Sequence, residues 1–153
     1  MRGYVHVYTG DDEDAAPEVG LCLRAAGAGL KALVITCVEN DDDGKIRALE
    51  RFSELVTVDP YGTDRLDRIR RAVSGGRYDL VVVDKGNVAV DRGLFSPEDL
   101  LEIIRNRPSP VELVITGKGA DPRIVEAADL VTEMTLVKHQ PKRGERVGNG
   151  IQN

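Results

Sequence analysis

Leu80-Val81-Val82-Val83-Asp84 is the stretch that decides the fold: four apolar residues on consecutive positions, three of them β-branched, closed by an acid. A strand with one wet face alternates apolar and polar side chains. An unbroken apolar run fits a central parallel strand covered on both faces, and it puts Asp84 at the carboxyl end, the edge where open α/β sheets bind ligands. Just upstream, Gly75-Gly76 ends a helix that the pattern places from about Asp64 to Val73, after a strand at Leu55–Val58. Toward the N-terminus come a strand at Tyr4–Tyr8, a helix ending at Gly27 and a strand at Ala32–Val38, then an acidic turn at Asp41–Asp43 and a short helix around Ile46–Phe52. Strands alternating with helical stretches are the mark of βαβ units.

Downstream, Ser96 is placed to cap a helix that runs to about Asn106. Pro97 suits the first helical position and Asp99 supplies the acid three residues after the cap. Val111–Ile115 is the next strand, Thr116-Gly117-Lys118-Gly119 its loop, Pro122–Ala127 a short helix, and Leu130–Val137 an interrupted final strand. With right-handed crossovers these elements make an α/β three-layer sandwich around a mostly parallel sheet. The expected organisation is one domain over residues 1–138 and a basic C-terminal tail, residues 139–153, with charge around Lys142-Arg143.

The 153 residues, 41% of them hydrophobic, suffice for one real core and not for two. A net charge of −5, with no basic face except in the tail, argues against a nucleic-acid partner. No apolar stretch approaches the ~20 residues that span a bilayer, and a strand begins almost at Met1, so the expectation is a cytoplasmic protein without a membrane segment. Cys22 and Cys37 lack metal-type or redox-type spacing and read as two buried small hydrophobes. His6, within the first strand, reads as a core or edge histidine.

Between the first strand and its helix lies Tyr8-Thr9-Gly10-Asp11-Asp12-Glu13-Asp14-Ala15-Ala16-Pro17, with four consecutive acids where a phosphate-binding loop would stand. Such a loop uses glycines to curl its N–H groups around phosphate, a lysine to neutralise charge, and a Ser or Thr to hold Mg²⁺. None of the three parts is present. The run has three readings: a solvated loop, a helix cap with Asp14 as the N-cap, or a divalent-cation site from Asp11, Asp12, Glu13 and Asp14 with Asp84. Asp41-Asp42-Asp43-Gly44 reads as a turn rather than a ligand set. The Thr116–Gly119 loop follows a strand and either faces the Asp84 cleft, with Lys118 toward an anion, or serves turn geometry alone.

Thr9-Gly10, Gly20–Gly29, Tyr78–Asp84, Arg105-Asn106-Arg107-Pro108, Thr116–Ala120, Ala128–Met134 and Val137-Lys138-His139, in that order and nearly end to end, resemble the P-loop type of ATP:corrinoid (cob(I)alamin) adenosyltransferase. The resemblance implies a P-loop NTPase-like fold, a homo-oligomer such as a homodimer, and transfer of the adenosyl group of ATP to the reduced cobalt of a corrinoid. Residual family positions for the cofactors are Thr9, Gly10, Asp84, Thr116, Lys118 and His139. The chain departs from the family at both substrate sites. The family loop after Thr-Gly has the form N-G-K-G-K-T-T. Here it is acidic and one residue short, and the lysine position falls on Ala15 or Asp14. Asp84 is followed by Lys85 where the family has Asp-Glu, and Asp59-Pro60-Tyr61-Gly62-Thr63 stands in for a Phe-x-Trp-like element in a chain with no Trp. ATP and Mg²⁺ are therefore not expected to bind in the family manner, and a corrinoid is the ligand left open. The expectation is a non-catalytic homologue that binds a corrinoid or a protein. Its alternatives are an active adenosyltransferase with a rearranged nucleotide site and a metal-binding or regulatory module built on the acidic loop.

Overall fold

The computed structural model describes residues 2–12, 15–39, 44–52 and 54–138. Twelve elements follow one another as β1 (Val5–Gly10), α1 (Pro17–Gly27), β2 (Ala32–Thr36), α2 (Gly44–Glu50), β3 (Val56–Asp59), α3 (Arg65–Ser74), β4 (Leu80–Asp84), α4 (Gly86–Asp91), α5 (Pro97–Asn106), β5 (Glu112–Ile115), α6 (Pro122–Ala127) and β6 (Leu130–Met134). The six strands form one sheet in the order β3-β2-β4-β5-β1-β6, and every neighbouring pair is parallel. The sheet is thus parallel throughout.

All five residues of β4 are buried, as an apolar run without alternation requires. Period-two geometry divides its side chains between two cores. Val81 and Val83 join Leu33, Ile35, Leu113 and Ile115 under α3, α4, α5 and α6. Leu80 and Val82 join Ala32, Val34, Val114 and Cys22 under α1 and α2. Both cysteines are free and buried, and burial, reinforced by the charges of Glu18 and Asp84, pushes the Cys22 thiol up to about 12. They behave as apolar filler rather than as nucleophiles.

Ser96 and Asp99 form a reciprocal cap on α5. Asp99 N–H donates to Ser96 Oγ at 3.1 Å, and Ser96 N–H donates to the Asp99 carboxylate at 2.9 Å. Ser96→Ala should lower stability by about 1 kcal/mol and the melting midpoint by about 2–4 °C, read by thermal denaturation. A midpoint unchanged within a degree would mean that α5 does not depend on its cap.

The structure corrects several expected boundaries. The last strand ends at Met134, and Val137 is 99% exposed. The second helix starts earlier, at Gly44. Helix α4 was not anticipated; Lys85 precedes it with φ 56°, no side chain caps it, and it is six residues long. Asp14 is not the N-cap of α1: that position belongs to Ala16, with φ 40° and no side-chain cap. Pro17 explains the shift, since its fixed φ suits the first helical residue and it disfavours the α conformation in the residue before it. Glu13 and Asp14 themselves, Asp41–Asp43, His139 and the rest of the tail lie outside the described residues.

Candidate ligand cleft at the carboxyl edge of the sheet

Strand β5 lies between β1 and β4, so the three loops leaving these strands meet at one edge. The cleft there is lined by Thr9, Gly10, Asp12, Glu18, Lys45, Asp84, Lys85, Thr116 and Lys118, among others. Five of the six family positions, Thr9, Gly10, Asp84, Thr116 and Lys118, thus line one cleft, and the sixth, His139, is outside the described residues.

At its centre two acids share one ammonium. Lys45 Nζ stands 2.9 Å from Glu18 Oε1 and 3.1 Å from Asp84 Oδ1. The Glu18 and Asp84 side chains are 3% and 1% exposed and that of Lys45 17%, so the trio is withdrawn from water. Burial alone would lower the Lys45 pKa. The adjoining charges of Asp84 and Glu18 and their hydrogen bonds overcome this and hold it above the ordinary 10.5, so Lys45 is charged throughout the neutral range. Its share of stability is present below that value and is lost only as pH rises through the raised one.

Thr116 ties the cluster to β5: its hydroxyl donates to Asp84 Oδ1 at 3.2 Å and accepts from Lys85 N–H at 2.9 Å. Thr9 Oγ1 accepts from Ala120 N–H at 3.2 Å, fastening the β1 end to the loop after β5. Two buried oxygens near the centre have no hydrogen-bond partner, Asp84 Oδ2 and Thr36 Oγ1, and Thr36 is the register partner of Asp84 on β2.

Of the described part of the acid run, Asp12 lines the cleft while the Asp11–Asp12 backbone is tied to the end of β6. Asp11 N–H and Asp12 N–H both donate to the Met134 carbonyl, and Asp11 Oδ1 accepts from Leu136 N–H at 3.1 Å. Among the described residues no three His, Cys, Asp or Glu side chains converge as a metal would need. His6 stacks on Tyr8 with ring centroids 4.0 Å apart, and its Nε2 lies 2.9 Å from Thr132 Oγ1, so it bridges β1 to β6 outside the cleft. The Asp59–Thr63 segment is also engaged elsewhere. Burial works against the Asp59 carboxylate, but hydrogen bonds from Arg65 at 2.9 Å and Arg68 at 2.5 Å lower its pKa below 3.8, while Tyr61 stays exposed.

The strand order, the positions of Thr9-Gly10, Asp84 and Thr116, and the loops that join them can be set beside known proteins. Residues 1–152 match the family model described as ATP:corrinoid adenosyltransferase BtuR/CobO/CobP. The chain belongs to that family. A corrinoid adenosyltransferase of Pseudomonas aeruginosa is 31% identical over 170 residues, covering 99% of this chain and 84% of the relative. One of Escherichia coli K12 is 25% identical over 167 residues, covering 98% and 85%. An uncharacterised Nostoc protein is 28% identical over 184 residues, and this chain spans 48% of it. The homology is to enzymes of cobalamin metabolism, and no helix among the described residues is long and apolar enough to cross a membrane.

Lys45 is the residue that sequence reasoning missed. It lies 27 residues from Glu18 and 39 from Asp84 in the sequence, and only the parallel sheet brings them together. Glu18 lies in the first turn of α1, where the helix dipole favours an acid, and the fold buries it against Lys45.

Proposed function

We propose that this chain is a non-catalytic member of the corrinoid adenosyltransferase family that does not take MgATP in the family manner and acts by binding a corrinoid or a protein partner. The observation that carries this reading is the Lys45 ammonium between Glu18 and Asp84. Mg²⁺ beside Asp84 would have to enter against a cation already held by both acids, so the residues as they stand do not fit the metal. Phosphate fits no better. The first turn of α1 presents the Glu18 carboxylate where an anion would need N–H groups and positive charge, and the cleft encloses about 40 Å³. Ligand sites run to roughly 300–1,000 Å³.

Thermal denaturation tests the reading directly. A ligand at ~100 times its dissociation constant adds ~2.7 kcal/mol, several degrees in a domain of this size. No such shift is expected with millimolar MgATP, and a shift absent with Mg²⁺ alone would overturn the reading. A corrinoid titration followed by visible absorbance then separates corrinoid binding from partner binding.

One observation favours the active alternative: Lys85 and Lys118 line the cleft beside Thr116, where cations could meet phosphate by a rearranged route. Adenosylation of reduced cobalamin by the purified chain is its measurement.

A further inference from the structure

We propose that the face of β1 and β6 on the α1 side is a seat for one amphipathic helix of a partner protein, apolar toward the sheet and acidic along its flanks. The proposal rests on the protein-partner arm of the reading above and names its surface and chemistry.

Helices cover the two faces of the sheet unequally. α1 lies over β2 and β4 and α2 over β3, whereas α3, α4, α5 and α6 pack on the opposite face. The two sides of β1 differ accordingly. Val5 and Val7 are 2% and 0% exposed, but on the α1 side Tyr4 is 45% exposed and His6 and Tyr8 are half-buried. Leu130 and Thr132, the register partners of His6 and Tyr8 on β6, are exposed as well, Leu130 by 49%. Parallel sheets are almost always covered on both faces. Strands lie about 4.8 Å apart and a helix is about 10 Å across, so one helix covers two strands, and the bare step over β1 and β6 has room for one.

α1 walls that step and stands about 10 Å above the strands, so a flat surface meets α1 before it meets Tyr4 or Leu130, whereas a single helix reaches both. The floor is apolar and aromatic: His6 stacks on Tyr8, and Leu21 of α1 joins Tyr8 at the edge of the core on that side. The rim is positive. The Arg2 guanidinium stands 5.7 Å from the Tyr4 ring centroid. Burial raises the Tyr8 pKa and the Arg24 guanidinium opposes that rise, which sets Arg24 at the α1 wall near Tyr8. The two nearby acids are engaged, Glu112 by Tyr4 N–H at 2.8 Å and Glu18 by Lys45. A helix seated here lays its i, i+3, i+4, i+7 stripe on the apolar floor and turns its flanks to the two arginines, so acids on those flanks complement the rim.

The experiment titrates the isotope-labelled full chain with two stapled helical peptides of about 12 residues, about 18 Å long, that share one leucine stripe and carry either Glu or Lys on the flanks, binding being followed by amide shifts in nuclear magnetic resonance. Shifts are expected at His6, Tyr8, Leu130 and Thr132. The Glu peptide should bind about three- to tenfold more tightly than the Lys peptide at low salt, as two exposed charge pairs allow, and the difference should shrink at high salt. Leu130→Gln should weaken the Glu peptide about fivefold through lost apolar burial, and Arg24→Gln should reduce its advantage over the Lys peptide. Phe52→Gln, at a side chain 48% exposed beyond α2, should change neither. Shifts confined to other residues, equal affinity for the two peptides, or no binding by the folded chain at millimolar peptide would overturn the proposal. Sedimentation velocity examines the other occupant: a dimer that Leu130→Gln dissociates would put a second copy on this face and overturn it too. A melting shift with MgATP would sink the proposed function and leave this surface standing, whereas failure of the peptides leaves the corrinoid arm of that reading untouched.

Discussion

Lys45→Met is expected to destabilise the fold by about 3–5 kcal/mol in chelator-treated buffer, lowering the urea midpoint and the melting temperature by roughly 10 °C. The size follows from what is left behind. Methionine retains the length of the lysine stem, so lost packing is small, but Glu18 and Asp84 become like charges side by side, each almost wholly out of water. Adding Glu18→Gln should recover part of the loss, because one buried charge is then removed, and the coupling in such a cycle measures the shared ammonium. A surface pair contributes ~0–1 kcal/mol. A cost for Lys45→Met within that range would show that water reaches the cluster in solution.

Gly10→Ala should cost about 3 kcal/mol or more, and the loss should concentrate at the β1–β6 edge. Gly10 has φ +111°, a conformation that L side chains rarely adopt, and a Cβ built there falls 2.1 Å from the Met134 carbonyl oxygen and 2.6 Å from its nitrogen. Both obstacles are backbone and cannot rotate aside. Gly76→Ala isolates the conformational part, since Gly76 has φ +67° and nothing within 4 Å of its Cβ position. It should cost about 1–2 kcal/mol. Hydrogen exchange at Asp11 and Asp12, whose N–H groups both bond to Met134, should quicken in Gly10→Ala and not in Gly76→Ala. Equal costs for the two substitutions would mean that β6 yields without resistance.

The sheet was legible because β4 states its burial in its own composition. The α5 cap was legible because a capping box is local, complete within Ser96 to Asp99. What the sequence hid falls into two physical kinds. Helix α4 packs Val88 and Ala89 into the core, but six residues hold too little periodicity to register, and Lys85 in a left-handed conformation gives no cap signal. Tertiary packing forms that helix, not propensity. The Asp14 assignment failed differently: acids before a proline are good caps in general, yet Pro17 places the start of α1 at itself, leaving the cap to Ala16. At the cleft, Thr9, Gly10, Asp84, Thr116 and Lys118 were found because loops after parallel strands share an edge. Lys45 arrives from a helix, and only three-dimensional proximity reveals it.

The strand order also dictates when the sheet can close during synthesis. Of the six strands described, β1 is made first, yet its two neighbours, β5 and β6, are made last. Val5 waits for Leu113 and His6 for Leu130, so β1 stays bare on both edges until β5 and β6 have left the ribosome. Pairing over such separations is slow, and an unpaired apolar strand is exposed to misassembly meanwhile. An N-terminal fragment ending before Glu112 can build β2, β3 and β4 side by side, but it leaves β1 unpaired and with it the Thr9-Gly10 side of the cleft.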